Sequence, residues 1–212
     1  MDITFGLLAL VVAVIVVAVS GRTAHPVDQS AAAALALLDE VPASAGTGLD
    51  GYSRAQFHVW SDPDRNGCDA RNDTLRRDLE NPQARDGTHG CVIIAGTLHD
   101  PYSGQTVPFV KASADQVPID HIVPLAQAWR HGANQWDDAR RTLFGNDPNE
   151  LLATTKQMNQ AKGDKGPAAW LPPNPAFACQ YAAAYVTVLH QWGLSATSAD
   201  IAALRTTLRT CR

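Results

Sequence analysis

The chain has 212 residues, 45% of them hydrophobic and 18% charged, with a formal net charge of −4. That length suits one ordinary domain with an appendage, and that apolar content excludes wholesale disorder. The acidic balance excludes a chain that grips nucleic acid by bulk charge. Residues 121–166 hold only six Lys/Arg against five Asp/Glu, so such a partner needs a bound metal and a few placed cations.

Residues Ile3 to Val19 are apolar apart from Thr4 and Gly6. A bilayer core takes about 20 apolar residues, so residues 1–20 read as a transmembrane anchor or a signal peptide. Ala18-Val19-Ser20 offers small residues for cleavage, whereas no Lys or Arg precedes the apolar run. Either form places the remainder outside the cytoplasm, secreted or membrane-anchored. Residues 21–50 are rich in Ala, Ser, Gly and Pro, with a short helical run near Ala31–Leu38. They read as a flexible linker, which leaves a folded domain over 51–212.

In that domain Phe57 and Trp60 are candidate core aromatics. Asp62-Pro63-Asp64-Arg65-Asn66-Gly67 matches the opening of a calcium loop, with Asp73 where its last acid falls. That place wants a bidentate Glu and no helix precedes the loop, so a polar turn is the better reading. Arg71 to Leu79 reads as a helix with Leu75 and Leu79 inward, Arg76 and Arg77 outward. Cys91–Leu98 and Thr106–Val110, joined by Asp100-Pro101-Tyr102-Ser103-Gly104, read as a hairpin. Val117 to Ile122 is a further strand. Trp129, Trp136 and Leu143 recur every seven residues, which predicts one or two helices interrupted near Gly132. Asn149 to Thr154 reads as a returning strand and Thr155 as the N-cap of a short helix. In the tail, Tyr181, Tyr185, Leu189 and Trp192 line one helical stripe, Gly193 stops it, and Ile201, Leu204 and Leu208 line another. The class is α+β: a β, β, α unit with inserted helices, an extra β-hairpin and a C-terminal helical hairpin, behind an N-terminal hydrophobic helix.

Four cysteines in an exported chain point to two disulfides, with three possible pairings. Cys179 opens the first tail helix and Cys211 closes the second, and antiparallel helices bring those ends together. This pairs Cys179 with Cys211 and leaves Cys68 with Cys91. No CxxC pair is present, which disfavours zinc through these cysteines.

One constellation carries chemistry. Asp120-His121-Ile122-Val123-Pro124, Asn149-Glu150-Leu151-Leu152 and Asn159-Gln160-Ala161-Lys162-Gly163 put a carboxylate, an imidazole and two carboxamides where a strand meets turns and a short helix. Such a set suits a divalent metal held by hard oxygens beside a base that activates water. Neighbouring side chains on a strand face opposite ways, so Asp120 and His121 can share one phosphate only where the strand distorts or ends. Pro124 fits that need. His121 is expected to be the general base, its rate rising through an imidazole pKa of about 6.5. Asp120 and Asn159 would be the protein ligands of one metal, most readily Mg²⁺, with Mn²⁺ as a substitute. Lys162, Lys165, Arg140 and Arg141 are candidate phosphate contacts or, equally, solvated surface cations. His25, His58, His89, His99, His131 and His190 have no ligand spacing.

The pattern Asp-His-Ile-x-Pro, Asn-x-Leu-Leu and Asn-x-x-Lys-Gly at these positions resembles the HNH (ββα-metal) endonucleases. Within them it is most similar to the branch containing the C-terminal domain of GmrSD-type restriction enzymes, seen in many small secreted actinobacterial proteins. The likeness runs from about Tyr52 to the C-terminus, through Asp100–Gly104 and Lys162–Pro172. It implies a ββα-metal core, and for Asn149 the role of tying the loop that carries the base. The chain departs from zinc-stabilised relatives, which carry paired CxxC motifs. It also lacks the large NTP-hydrolysing region of the full restriction enzymes, so no NTP is expected. The function implied is a monomeric, metal-dependent endonuclease acting on DNA with little sequence preference, touching the membrane through its N-terminal segment if that is uncleaved. The alternatives are a non-catalytic envelope binding protein and a toxin-type nuclease held off by an immunity partner. Retention of acid, base and amides together argues against the first.

Overall fold

The computed structural model describes residues 30–211. The expected signal peptide or anchor over 1–20 lies outside the described residues. Among the described residues no helix is long and apolar enough to cross a membrane.

The elements are α1 (Ala31–Glu40), α2 (Ala70–Asp78), β1 (Leu79–Ala84), β2 (Ile93–His99), β3 (Thr106–Val110) and β4 (Ile119–His121). They continue with α3 (Leu125–Arg130), α4 (Asp138–Gly145), β5 (Leu151–Ala153), α5 (Lys156–Lys162), α6 (Pro175–Trp192) and α7 (Ser198–Thr210). Short 3₁₀ turns occupy Arg54–Phe57, Lys111–Gln116 and Ala133–Gln135. The protein is α+β, with two small antiparallel sheets: β1-β2-β3 and the β4-β5 ribbon.

The ribbon separates two apolar clusters, and its period-two alternation explains how. Ile119, Leu151 and Ala153 pack with Leu75, Leu98 and Phe109. Leu152, from the other face, joins Ile122, Val123, Tyr181, Tyr185 and Leu189 in the helical cluster. The tail hairpin forms as expected: Gly193 takes the left-handed conformation that ends α6 (φ 64°), and Leu204 and Leu208 of α7 are fully buried. Both expected disulfides are present, Cys68–Cys91 and Cys179–Cys211.

Four expectations need correction. The linker expected over 21–50 is folded from Ser30 on. Ser30 caps α1, Ala34 and Leu38 are buried, and α1 lies on α6 and α7. Ser44 N donates to the Ala196 carbonyl (2.9 Å) and Thr47 N to that of Arg130 (2.8 Å), so the presumed boundary is pinned as well. The expected hairpin forms from β2 and β3, but β1 extends it to a three-stranded sheet. β1 runs through Glu80-Asn81-Pro82, poor strand formers, and Asn81 sits at φ 52° where the register shifts. Arg77, expected outward, chelates Asp78 and donates to the carbonyls of Pro148 (2.6 Å) and Leu151 (2.6 Å). Leu143 is 52% exposed while Phe144 is fully buried. The seven-residue spacing that suggested otherwise spans α3, a 3₁₀ turn and α4, which share no common face.

The docking of α1 makes Leu38 a sensitive probe. Leu38→Ala is expected to lower the free energy of unfolding by about 2–5 kcal/mol in urea titration, the usual loss for a large-to-small core change. A tether residue would show almost none.

Candidate functional site

β4 ends at His121, and Pro118 to His121 all line one cavity of about 620 Å³. Its other walls come from Tyr52, Arg54 and Trp60 before α2, and from Asn159 and Asp164 around α5. Asp120 and His121 therefore reach the same space despite their opposite strand faces. Cross-strand pairing shows those faces: Asp120 sits opposite Leu152 and His121 opposite Leu151.

His121 is 4% exposed, with the Trp60 ring tilted over it at 5.9 Å between centroids. Trp60, expected as a core aromatic, packs partly buried against the sheet cluster and is a wall of this cavity as well. The imidazole Nε2 lies 3.0 Å from the Gly145 carbonyl. A carbonyl only accepts, so Nε2 carries the hydrogen and Nδ1 is the nitrogen left to take a proton. Gly145 is required where it stands, since a Cβ there would lie 2.6 Å from the Phe57 carbonyl. Burial above all, then the nearby charge of Arg54, lowers the imidazole pKa from 6.5 to about 3, against the Gly145 bond, which raises it. The imidazole is neutral throughout the physiological range, and the expected limb near 6.5 moves far to the acid side.

Asp120 is held from two directions. Tyr102 donates its hydroxyl to Oδ2 (2.7 Å), and Lys162 donates to Oδ1 (3.0 Å) and lies 2.8 Å from Oδ2. Lys162 also donates to the His121 carbonyl (2.7 Å). Burial first, then the Asp120 charge, keeps the Tyr102 hydroxyl protonated. The Asp100-Pro101-Tyr102-Ser103-Gly104 turn is anchored by Asp100, whose carboxylate accepts from the hydroxyls of Thr154 and Thr155 (2.8 Å each). Thr155 caps α5 as expected, which presents the Asn159 carboxamide to the cavity.

Glu150, passed over in the sequence, has no exposed surface, and its two oxygens accept from Val123 N at 3.0 and 3.1 Å. It secures the backbone just past His121. Burial raises its pKa well above the ordinary 4.5. The loop-tying role implied for Asn149 falls to this neighbour, because the Asn149 carboxamide turns to Gln191 (3.5 Å) while Gly145 holds the imidazole. A charged residue beside Leu151-Leu152 was the available signal: a carboxyl in an apolar run demands a buried partner.

The expected phosphate contacts also change. Lys162 has no exposed surface and is consumed by Asp120. Arg141 is bound to the carbonyls of Trp136 and Ala133 and to Asp138, with its guanidinium over Trp129. Arg140 lies over the Trp136 ring and donates to the Trp192 carbonyl (2.9 Å), away from the cavity walls. Lys165 stays exposed, its ammonium on the Ala161 carbonyl (2.6 Å). Arg54 and Arg71 are the cations that line the cavity, and Arg71 is pinned to the carbonyls of Ala114 and Val117 (3.1 Å each). The Asp62–Gly67 segment is a self-bonded polar turn, with Asp62 accepting from Asn66 N (3.1 Å) and Gly67 N (2.9 Å).

The donor set suits a hard cation. Asp120 keeps lone pairs beyond those that meet Tyr102 and Lys162, and Asn159 adds a neutral oxygen. Among the described residues no three His, Cys, Asp or Glu side chains cluster as metal ligands. A cation here would rest on two protein oxygens and fill its shell with water and phosphate, which is the habit of Mg²⁺.

Fold and site define a small α+β protein whose cavity sets an accepting imidazole beside hard oxygen donors. Residues 69–207 match the model of the GmrSD restriction endonucleases, C-terminal domain. A protein of Arthroderma benhamiae (strain ATCC MYA-4681 / CBS 112371), described as an "uncharacterized secreted protein", is 38% identical over 207 residues, covering 96% of this chain and 98% of that one. No solved structure matches. The chain belongs to the GmrSD C-terminal domain family, a restriction endonuclease-like nuclease family.

Two outcomes follow from the buried charges. Lys162→Met leaves the Asp120 carboxylate without its partner and should lower stability by about 3–5 kcal/mol, measured by denaturant titration; a solvated surface lysine would change it by less than about 0.5 kcal/mol. Glu150 titrates at 4.5 when unfolded and higher when folded, so between those values only the native state keeps the proton and stability falls as pH rises. The His121 contribution is common to wild type and Glu150→Gln, so the stability difference between the two should shift against the wild type as pH rises above 4.5, and a difference that does not vary with pH would contradict a raised Glu150 pKa.

Proposed function

We propose that this chain is a secreted, metal-dependent nuclease that hydrolyses phosphodiester bonds of DNA, with His121 as general base. The observation that carries this reading is the single cavity shared by His121, Asp120 and Asn159. Family membership supports nuclease chemistry, and two disulfides suit an oxidising compartment, as does the relative described as secreted.

In the step proposed, Nδ1 of His121 takes a proton from water as the water oxygen attacks phosphorus. One P–O ester bond then breaks, and the departing oxygen takes a proton from solvent. Gly145 holds the imidazole in the accepting tautomer, and Trp60 limits its exposure to water. A divalent cation such as Mg²⁺ or Mn²⁺, held by the oxygens of Asp120 and Asn159, would offset charge on the phosphate and the departing oxygen. The docked phosphate anion itself stabilises the imidazolium and makes His121 more basic than in the free protein. Among the described residues no helix lies in the cavity as an element of its own to read bases, so sequence preference should be slight.

Plasmid nicking by the full-length protein with Mg²⁺, beside calorimetry of Mn²⁺ binding, tests the roles. His121→Ala should leave Mn²⁺ affinity unchanged and slow cleavage by about 10²–10⁴-fold. Asp120→Ala and Asn159→Ala should weaken Mn²⁺ binding, with cleavage partly restored by excess metal. The acid limb of kcat should lie at higher pH than that of kcat/KM, since these report the bound and free states. Full cleavage by His121→Ala would overturn the assignment.

A further inference from the structure

The expected phosphate-binding cations are largely consumed by the fold, so the cavity must find its grip on substrate elsewhere. Arg54 is the cavity-lining cation placed to supply it. The residue is exposed and, among the described residues, its side chain makes no hydrogen bond or ion pair, whereas Arg71 is spent on two backbone carbonyls. In an acidic chain such a local cation matters more than any general field.

Its position is fixed by packing. Arg54 opens a 3₁₀ turn capped by Ser53, whose hydroxyl accepts from Ala55 N (3.3 Å), and the turn ends in fully buried Phe57. Phe57 packs on Phe144 with ring centroids 6.0 Å apart, and its backbone approaches Gly145 too closely for any Cβ there. The carbonyl of that same Gly145 orients the base. The turn carrying Arg54 and the loop holding the imidazole are thus bolted together at one contact. The turn precedes residue 69, where the family match begins.

We infer that Arg54 is the substrate-binding residue that grips the phosphodiester backbone of the nucleic acid at the cavity mouth, beside the base. This rests on the nuclease reading. A guanidinium suits the task, because its fork of donors meets two phosphate oxygens at once.

The test uses a short DNA duplex as probe, with binding measured by anisotropy across a salt series on the full-length His121→Ala protein. Adding Arg54→Ala should weaken binding about tenfold and reduce the slope of log K against log[salt] by about one. Arg54→Lys should restore the slope without the full affinity, since a lysine neutralises charge but cannot bind two oxygens in a fork. Arg140→Ala, outside the cavity, should leave both quantities unchanged. Unaltered binding in the Arg54→Ala protein would overturn the inference, and so would an equal loss from Arg140→Ala. Neither result touches the nuclease reading, which fails instead if the wild type neither nicks plasmid nor binds the duplex.

Discussion

Lys162 carries its ammonium group into the interior, where an unpaired charge would cost several kcal/mol, and it is tolerable there only because Asp120 and the His121 carbonyl meet it. That pairing joins α5 to β4 and sets the distance between the helix bearing Asn159 and the strand bearing His121. Tyr102 completes the arrangement from a third direction, bringing in the turn between β2 and β3. Because Lys162, Asp120 and Tyr102 each have a specific partner, few alternative packings satisfy all three.

The helical cluster is the surrounding that makes these polar contacts strong. Tyr102 packs edge-on to Trp170 and Tyr181 at 5.0 and 5.7 Å, away from the cavity walls, and buries the interior side of the Asp120 carboxylate. Gly166 fits against Asp200, where a Cβ would stand 2.5 Å from a carboxylate oxygen, and so lets the segment after α5 close over α7. Glu150 and His121 are two buried titratable groups, and burial disfavours the charged form of each. Their burial serves geometry, since a carboxyl and an imidazole in water would hold neither Val123 nor a fixed tautomer.

The distribution of positive charge follows from the same economy. Arg71, Arg77, Arg141 and Lys162 are engaged by backbone carbonyls or carboxylates inside the fold. A cation that closes helix ends and loop carbonyls is no longer offered to a ligand. An acidic protein built this way presents little general attraction to nucleic acid and depends on what lies at the cavity mouth.

Much was legible in the sequence because it depends on local chemistry. The Thr155 cap, the Gly193 stop, the strands around Asp120 and Leu151 and the tail stripe each follow from short-range rules of capping, periodicity and turn formation. The disulfide pairing followed too, since antiparallel helices leave Cys179 and Cys211 little choice. Tertiary structure alone decided the partners of the buried polar groups. Nothing in Asn-x-x-Lys-Gly says that Lys162 turns inward, that Glu150 rather than Asn149 secures the loop, or that a backbone carbonyl at Gly145 orients the His121 imidazole. The docking of α1 was equally hidden, because an Ala-rich helix reads like a linker until α6 and α7 supply its core. Such contacts join residues tens of positions apart, and their strength comes from exclusion of water, which exists only once the chain has packed.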